Sequence, residues 1–204
     1  MGRMRQLALA VAAVASTLTL VVAPTHAAEV FTLKSTTFED GKMLPKKVAN
    51  KRENLPSNPN CIGDNVSPQL SWSNVPDGTK SFAFLMTDPE GRGGAGVVHW
   101  VAYGIPTSVT GFAEGEVSKL SDKYIAGKNI FGTGFFGGPC TPPNVMPHHY
   151  TFVLIATDLD PKELPADLTK DELTAKIVPP APSASHAKGT AGLVGLFVNP
   201  GTSQ

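Results

Sequence analysis

The sequence predicts a mainly β protein, an antiparallel β-sandwich with one or two small peripheral helices. Short runs of β-branched and aromatic residues recur along the chain, and turn residues separate them. Glycine (20) and proline (18) are abundant, which favours many turns over long helices. Helical signals are sparse, so helices are expected only beside the β structure.

Three strands are predicted in the first half of the chain. The first is VFTL at 30–33, whereas 42–64, with three prolines, is predicted to be irregular. Residues 69–72 (QLSW) alternate polar and apolar side chains, and the turn VPDG follows at 75–78. Residues 81–87 (SFAFLMT) are apolar enough for a central strand.

Three further strands are predicted at 97–105 (VVHWVAYGI), 151–157 (TFVLIAT) and 192–198 (GLVGLFV). No internal repeat, heptad pattern or second domain is evident in the sequence. Residues 28–204 are therefore predicted to form a single domain.

One helix is predicted after 168. Thr169 is a candidate N-cap, and Glu172 three residues later completes a capping-box pattern. The helix is expected to end before Pro179 and Pro180, and 178–185 (VPPAPSAS) reads as a proline-rich surface loop.

The N-terminal residues form a secretory signal pattern. Arg3 and Arg5 precede an apolar run from 7 to 23, and small residues at 25–28 offer a cleavage site. Residues 1–27 are thus predicted to be a signal peptide, with an uncleaved membrane anchor as the alternative. No other segment of the sequence is apolar enough to span a bilayer. The mature protein is expected to be periplasmic or secreted.

Charge and cysteine content limit the function classes. The 17 basic and 17 acidic residues balance, and no run of lysine or arginine suggests nucleic-acid binding. Cys61 and Cys140 form an even pair in a turn-rich exported chain, which favours a disulfide. The alternative is a cysteine nucleophile or metal thiolate, although no CxxC spacing occurs.

Polar residues at predicted strand ends are the candidates for chemistry. His99 lies inside an apolar strand, where a core histidine bonded to a carboxylate or carbonyl is the simplest interpretation. Asp88 before a proline is typical of turn capping. His148 and His149 would face opposite sides of a strand. His99, His148 and Asp88 could also form a metal site, but no HExxH or GxSxG motif occurs.

Several stretches resemble, in order, the phosphatidylethanolamine-binding protein (PEBP) family, and in particular its bacterial Raf-kinase-inhibitor-like (YbhB/YbcL) branch. The resemblance runs in order along nearly all of the chain beyond the signal peptide. The stretches are FEDGKMLP (38–45), GDNVSPQLSWSNVPDGTKSFAF (63–84), DPEGRGGAGVVHWV (88–101), GGPCTPP (137–143), PHHYTF (147–152) and AGLVG (191–195).

The resemblance implies an antiparallel β-sandwich with a small pocket for phosphate-like anions or phospholipid head groups. It implies no catalytic residue, metal or cofactor. Asp88 would orient His99 and favour its protonated form, and a Cys61–Cys140 bond would pin the proline loop to the GDNVSP segment. The ligand-binding residues that the resemblance implies are Asp88, Glu90, His99, Gly138, Pro139, Pro142, Pro143, His148 and Tyr150.

The chain departs from the family pattern in two places. The motif DPDAP is Asp88-Pro89-Glu90-Gly91-Arg92 here, so Arg92 could reach over the pocket or lie in solvent. PPNV replaces PPKG at the paired prolines, and Thr141 separates Cys140 from them, which leaves the register of that loop open by one residue.

The first functional hypothesis is an exported, non-enzymatic binding protein for such an anion. The alternatives are an inhibitor or regulator of a partner protein such as a protease, and a metal- or histidine-dependent phosphoesterase. Bacterial relatives often form homodimers, but no apolar stripe in the sequence identifies such a surface.

Overall fold

Nine strands and two short helices lie within the residues that the computed structural model describes, which are 29–51, 53, 58–143 and 145–201. The predicted signal peptide, 1–27, lies outside the described residues. The strands are β1 Thr32–Lys34, β2 Lys42–Met43, β3 Leu70–Ser73, β4 Ser81–Asp88, β5 Val97–Pro106, β6 Gly111–Phe112, β7 Ile125–Ala126, β8 His148–Thr157 and β9 Ala187–Phe197. The helices are α1 Gly91–Gly94 and α2 Lys170–Ile177, and a 3-10 turn spans Lys46–Val48.

The strands form two sheets. The smaller sheet has the order β1-β3-β6, and the larger has the order β2-β9-β8-β4-β5-β7. All neighbouring pairs are antiparallel except β2 and β9, which run parallel. The prediction of a mainly β, antiparallel sandwich with one or two small helices is therefore confirmed, with one parallel pair added.

The main core lies between the two sheets. Trp72 of the small sheet meets Phe82 of the large sheet and Phe112 edge-on, with ring centroids 5.5 Å apart in both pairs. Such edge-to-face pairs add about 0.5–1.5 kcal/mol beyond the area they bury. Phe84 and Trp100 extend the aromatic layer towards the end of the sheet where β4 finishes.

The outer face of the large sheet is covered as well. Leu173 and Ile177 of α2 are buried against this face, where Leu85 and Val101 belong to the same cluster. Because both faces of the central strands are covered, β4 is almost continuously apolar instead of alternating.

The predicted helix is confirmed, with a capping box between Thr169 and Glu172 at its start. Its last residue, Ile177, comes directly before the predicted loop at 178. Within the described ranges, no helix has both the length and the hydrophobicity needed to cross a bilayer.

The structure differs from the predicted elements in some strand limits and in several short elements that were not predicted, which are β2, β6, β7 and α1. β8 begins at His148, three residues early, because His148 and His149 pair with β9. β9 begins at Ala187, five residues earlier than predicted, because its glycines weaken the β-strand pattern of the sequence. One of them, Gly189, packs closely against Pro76, whose ring carbon would lie 2.8 Å from a Cβ at this position. The short β2 and the 3-10 turn occupy part of the segment predicted to be irregular.

Candidate functional site

A cavity of about 270 Å³ opens at one end of the large sheet. Since β4 is antiparallel to both β5 and β8, the end of β4 meets the beginnings of its two neighbours. This topology brings Asp88, His99 and His148 to one place from distant parts of the chain. The lining residues are Asn58, Asp88, Gly91, Arg92, Val97, His99, Ile130, Phe131, Cys140, Thr141, Pro142, His148 and Tyr150.

Asp88 is buried at the base of this cavity, and both of its carboxylate oxygens are hydrogen-bonded. Oδ1 accepts from the backbone N–H of Gly91 at 2.9 Å, and Oδ2 lies 2.8 Å from Nδ1 of His148. Asp88 therefore orients His148. The expectation that it would orient His99 is wrong, because the β8 imidazole reaches the carboxylate directly.

His99 is held by the backbone instead. Its Nδ1 donates to the carbonyl oxygen of Gly137 at 2.7 Å, and the ring is 3% exposed. Burial lowers the pKa of His99 and outweighs the opposing effects of the Gly137 carbonyl and the Asp88 charge. The expectation that Asp88 favours the protonated form of His99 is correct in direction, but burial has the larger effect on this pKa. With Nδ1 as the donor, Nε2 is the nitrogen of neutral His99 left as an acceptor.

Two buried hydroxyl groups belong to residues of the cavity wall. Tyr150 is fully buried and packs edge-on to His99 at 5.1 Å between ring centroids, and Thr141 is 2% exposed. Neither hydroxyl oxygen has a hydrogen bond of normal geometry among the described residues. Burial raises the pKa of Tyr150, as do the charge of Asp88 and a weak hydrogen-bond contact with its carboxylate, so the hydroxyl keeps its proton. Unsatisfied buried polar groups are rare, and each costs about 1–3 kcal/mol.

The loop at 137–143 forms another wall. The Gly138 N–H donates to Oδ1 of Asn65 at 2.8 Å, and the Asn50 N–H donates to the Pro139 carbonyl at 2.9 Å. A methyl group at Gly138 would lie 1.9 Å from the carbonyl oxygen of Val48, so only glycine allows this approach. The loop is thus clamped to residues 48–50 and 65.

The predicted disulfide between Cys61 and Cys140 is confirmed, and it ties the same loop to residue 61. This rules out both sulfurs as free thiols. Cys140 itself lines the cavity.

The proline loop supplies fewer lining residues than the resemblance implies. Pro142 lines the cavity, whereas Gly138, Pro139 and Pro143 do not appear among the lining residues. Gly138 and Pro139 lie behind the wall against 48–50, and Pro143 pairs with Asn199. These three residues position the loop.

Glu90 lies at the outer edge of the site. Its carboxylate accepts from the backbone N–H of His149 at 3.0 Å and lies 2.7 Å from Nδ1 of the same residue. Burial alone would raise the pKa of Glu90, but these contacts with His149 hold it below its ordinary value. His149 therefore faces away from the cavity, as its strand position predicts.

One group of side chains could hold a cation. Ligand atoms of Asp88, Glu90 and His148 lie within 4.8 Å of one another. The metal site considered from the sequence consisted of His99, His148 and Asp88, so Glu90 stands in place of His99 in this group. Each carboxylate here is already bonded to a histidine, which a cation would have to displace.

Arg92 is exposed at the cavity and has a left-handed backbone, with φ of 54°. Both alternatives for Arg92 hold in part, because the residue reaches solvent and also lines the cavity. No ion pair of Arg92 is present among the described residues.

Sequence reasoning missed several site residues. Thr141, Asn58, Ile130 and Phe131 line the cavity without any motif that marks them. Asn65 was also missed, although its place in a Gly-Asp-Asn turn and its φ of 56° are typical of a structural asparagine.

Comparison with known proteins gives one consistent family. A family model described as phosphatidylethanolamine-binding protein matches residues 34–190. The Escherichia coli protein YbcL is 42% identical over 113 residues, which cover 52% of this chain and 60% of YbcL. An archaeal relative from Methanothermobacter thermautotrophicus is 36% identical over 150 residues, covering 72% of this chain and 93% of its own.

A third relative, from Mycobacterium tuberculosis, carries the word lipoprotein in its name, LppC. It is 33% identical over 178 residues, which cover 85% of this chain and 75% of LppC.

Solved structures agree with this fold. The crystal structure of E. coli YbcL, described as a member of the mammalian PEBP family, superposes with a TM-score of 0.69 at 30% identity. It covers 82% of this chain and 98% of YbcL. The PEBP homologue CT736 from Chlamydia trachomatis gives a TM-score of 0.64 at 27% identity, covering 82% of this chain and 96% of its own.

Proposed function

Because this chain belongs to the phosphatidylethanolamine-binding protein family, we propose that it is a non-enzymatic binding protein whose cavity takes a phosphate-like anion or a phospholipid head group. At about 270 Å³, the cavity is at the small end of the range for ligand pockets, which suits a head group without its acyl chains.

The observation that carries this proposal is the pair of unpartnered hydroxyl groups. Tyr150 and Thr141 are buried in the cavity wall, and neither hydroxyl makes a hydrogen bond of normal geometry among the described residues, although the Asp88 carboxylate is near enough to raise the pKa of Tyr150. A guest that offers several acceptor oxygens would satisfy both, and phosphate offers them in a compact group.

The charges around the cavity suit an anion whose binding is accompanied by protonation of His99. The Asp88 carboxylate faces His148, and His99 is neutral in the free protein because burial lowers its pKa. An anion beside His99 would favour the imidazolium form, and the guanidinium of Arg92 adds a positive charge at the mouth.

The non-enzymatic part of the proposal rests on two groups of the wall. Cys140 is bonded to Cys61 and offers no thiolate. Tyr150 keeps its proton because burial raises its pKa. Neither is an activated nucleophile.

Export is supported by two observations besides the signal pattern at 1–27. The disulfide is typical of oxidising compartments, and one relative carries the word lipoprotein in its name. The periplasm or the exterior is therefore the proposed location. Regulation of a partner protein stays a hypothesis from the sequence, which no feature of the described residues favours over a small anion.

Isothermal titration with phosphate, phosphorylethanolamine and glycerophosphorylethanolamine tests the proposal. At least one is expected to bind, and Tyr150→Phe to weaken it about tenfold, since one hydrogen bond to a charged group contributes about 1.5 kcal/mol or more. Tyr103→Phe is the matched control, because Tyr103 is buried on the other face and donates to Pro165.

Absence of binding for all three compounds would refute the proposal. A steady release of product from p-nitrophenyl phosphate that scales with protein concentration would contradict its non-enzymatic part.

A further inference from the structure

A second concavity, of about 240 Å³, lies directly beside the cavity. We call it the basic groove. Arg92, Val97 and Ile130 line both spaces, so the groove and the cavity adjoin at these three residues. The groove is lined by Arg92, Gly96, Val97, Val98, Lys128, Asn129, Ile130, Thr169, Lys170 and Asp171.

The groove is positively charged in a chain whose formal charges balance. Arg92, Lys128 and Lys170 supply three cations, and Asp171 is the single acid among the lining residues. Asp171 pairs with Lys170 at 2.9 Å, whereas Arg92 and Lys128 have no ion pair within the described part of the chain. Glu172, which accepts from Thr169 in the capping box, also keeps its charge near Lys128, so the three cations exceed the two acids around the groove by one.

Helix stability does not explain Lys170. It is the first residue of α2, where the positive end of the helix dipole opposes a cation. Its position is therefore unfavourable to the helix dipole, and the ion pair with Asp171 offsets part of this effect.

The groove is built on the same framework as the cavity. The Lys128 N–H donates to Leu168 at 2.9 Å, and the Ile130 N–H donates to Val98 at 3.0 Å. The side-chain amide of Asn129 donates to the backbone oxygen of His99 at 3.1 Å. The backbone that carries Lys128 is thus held in a fixed relation to β5, the strand that carries His99.

We propose that the basic groove is a second anion subsite, so that the ligand carries a phosphate for the cavity and a further anionic group for the groove. This inference rests on the proposed function, since it assumes that a phosphate occupies the cavity. The ligand class is a phosphate compound with an additional carboxylate or phosphate a few bonds away, either free or as a lipid head group.

Two pairs of probes that each differ by one carboxylate test this. The soluble pair is O-phosphoserine and phosphorylethanolamine. The lipid pair is dihexanoylphosphatidylserine and dihexanoylphosphatidylethanolamine, used below their micellar concentrations. At low ionic strength the serine member of at least one pair is expected to bind about fivefold more tightly or better, and added salt to reduce this preference. The pair that shows it identifies the soluble or the lipid source.

The double variant Lys128→Gln, Lys170→Gln is expected to remove the preference and to leave the affinity for the ethanolamine member within about twofold. Lys80→Gln with Lys162→Gln removes the same charge and is the matched control. Lys80 precedes β4 and Lys162 follows β8, at the end of the sheet away from the cavity. The control is expected to keep the preference.

Equal affinity within both pairs would overturn the inference while leaving the proposed function intact, and so would a preference that survives in the Lys128, Lys170 variant. Failure of every probe to bind would instead remove the proposed function, and the inference with it.

Discussion

Removal of the disulfide is expected to lower the free energy of unfolding by about 4.5 kcal/mol. Cys61 and Cys140 are 79 residues apart in sequence. The bond therefore closes a long loop in the unfolded chain, and the chain-entropy relation gives about 4.5 kcal/mol for a loop of that length. The variant Cys61→Ala, Cys140→Ala releases this constraint.

Urea unfolding of the oxidised protein and of the double variant measures the difference. Trp72 and Trp100 are both buried, so their fluorescence reports the transition. The m-value is expected to rise in the variant, because an unfolded chain without the cross-link exposes more surface. Reductant should shift the midpoint of the oxidised protein and leave that of the variant unchanged.

The same variant separates stability from binding. The loop at 137–143 is also held by hydrogen bonds from Gly138 to Asn65 and from Asn50 to Pro139. Phosphate affinity of the folded variant is therefore expected to stay within about twofold of the parent. A decrease in the free energy of unfolding of less than about 1 kcal/mol with an unchanged m-value would refute the entropy argument. A large loss of phosphate affinity in the folded variant would show that hydrogen bonds alone do not hold the 137–143 loop in place.

Three further predictions concern single residues. Affinity for glycerophosphorylethanolamine, a phosphodiester, is expected to rise as pH falls, by at most about tenfold per pH unit. The rise is expected between the pKa of His99 in the complex and its lowered pKa in the free protein. Binding titrations at several pH values should show this slope, and His99→Gln should flatten it. Tyr150→Phe is expected to leave the free energy of unfolding unchanged or higher, because the lost hydroxyl makes no hydrogen bond of normal geometry, whereas Tyr103→Phe should lower it by about 1 kcal/mol in urea unfolding; an equal loss in both would contradict the assignment. Gly138→Ala is expected to lower thermal stability by about 1–3 kcal/mol, since its methyl group would meet the Val48 carbonyl, and an unchanged melting temperature would show that the loop can move away.

The strands that were predicted well have a simple pattern. Residues 81–87 and 97–105 are rich in apolar and β-branched residues, and their strands agree with prediction to within one residue at each end. β9 was predicted only from residue 192, because Gly189 and Gly192 weaken the β signal. The partner that requires a glycine at 189 is Pro76, which no local pattern reveals.

The residues of the candidate site were predicted better than their contacts. Asp88, His99 and His148 do line one cavity. Their hydrogen-bond partners depend on the register of β4 against β8 and on the path of the 137–143 loop, neither of which sequence spacing determines. For this reason Asp88 was assigned to His99, when its partner is His148.

The pKa of His99 could not be inferred from sequence either. Asp88 does favour the charged imidazole, but the ring is almost completely buried, and desolvation prevails. A sequence shows which charges are near a histidine more readily than how much water remains around it.

The position of β8 has a consequence for biosynthesis. β8 lies between β4 and β9, and His148 at its first residue pairs with Phe197 at the last residue of β9. Residues up to 197 must therefore be present before His148 has its partner in β9, whether folding takes place during synthesis or after export. Until then, the growing polypeptide carries an open β edge that other chains could join. The proposed ligand cavity can therefore form only when almost all of the described chain is available, and the β8 edge is exposed to other chains until then.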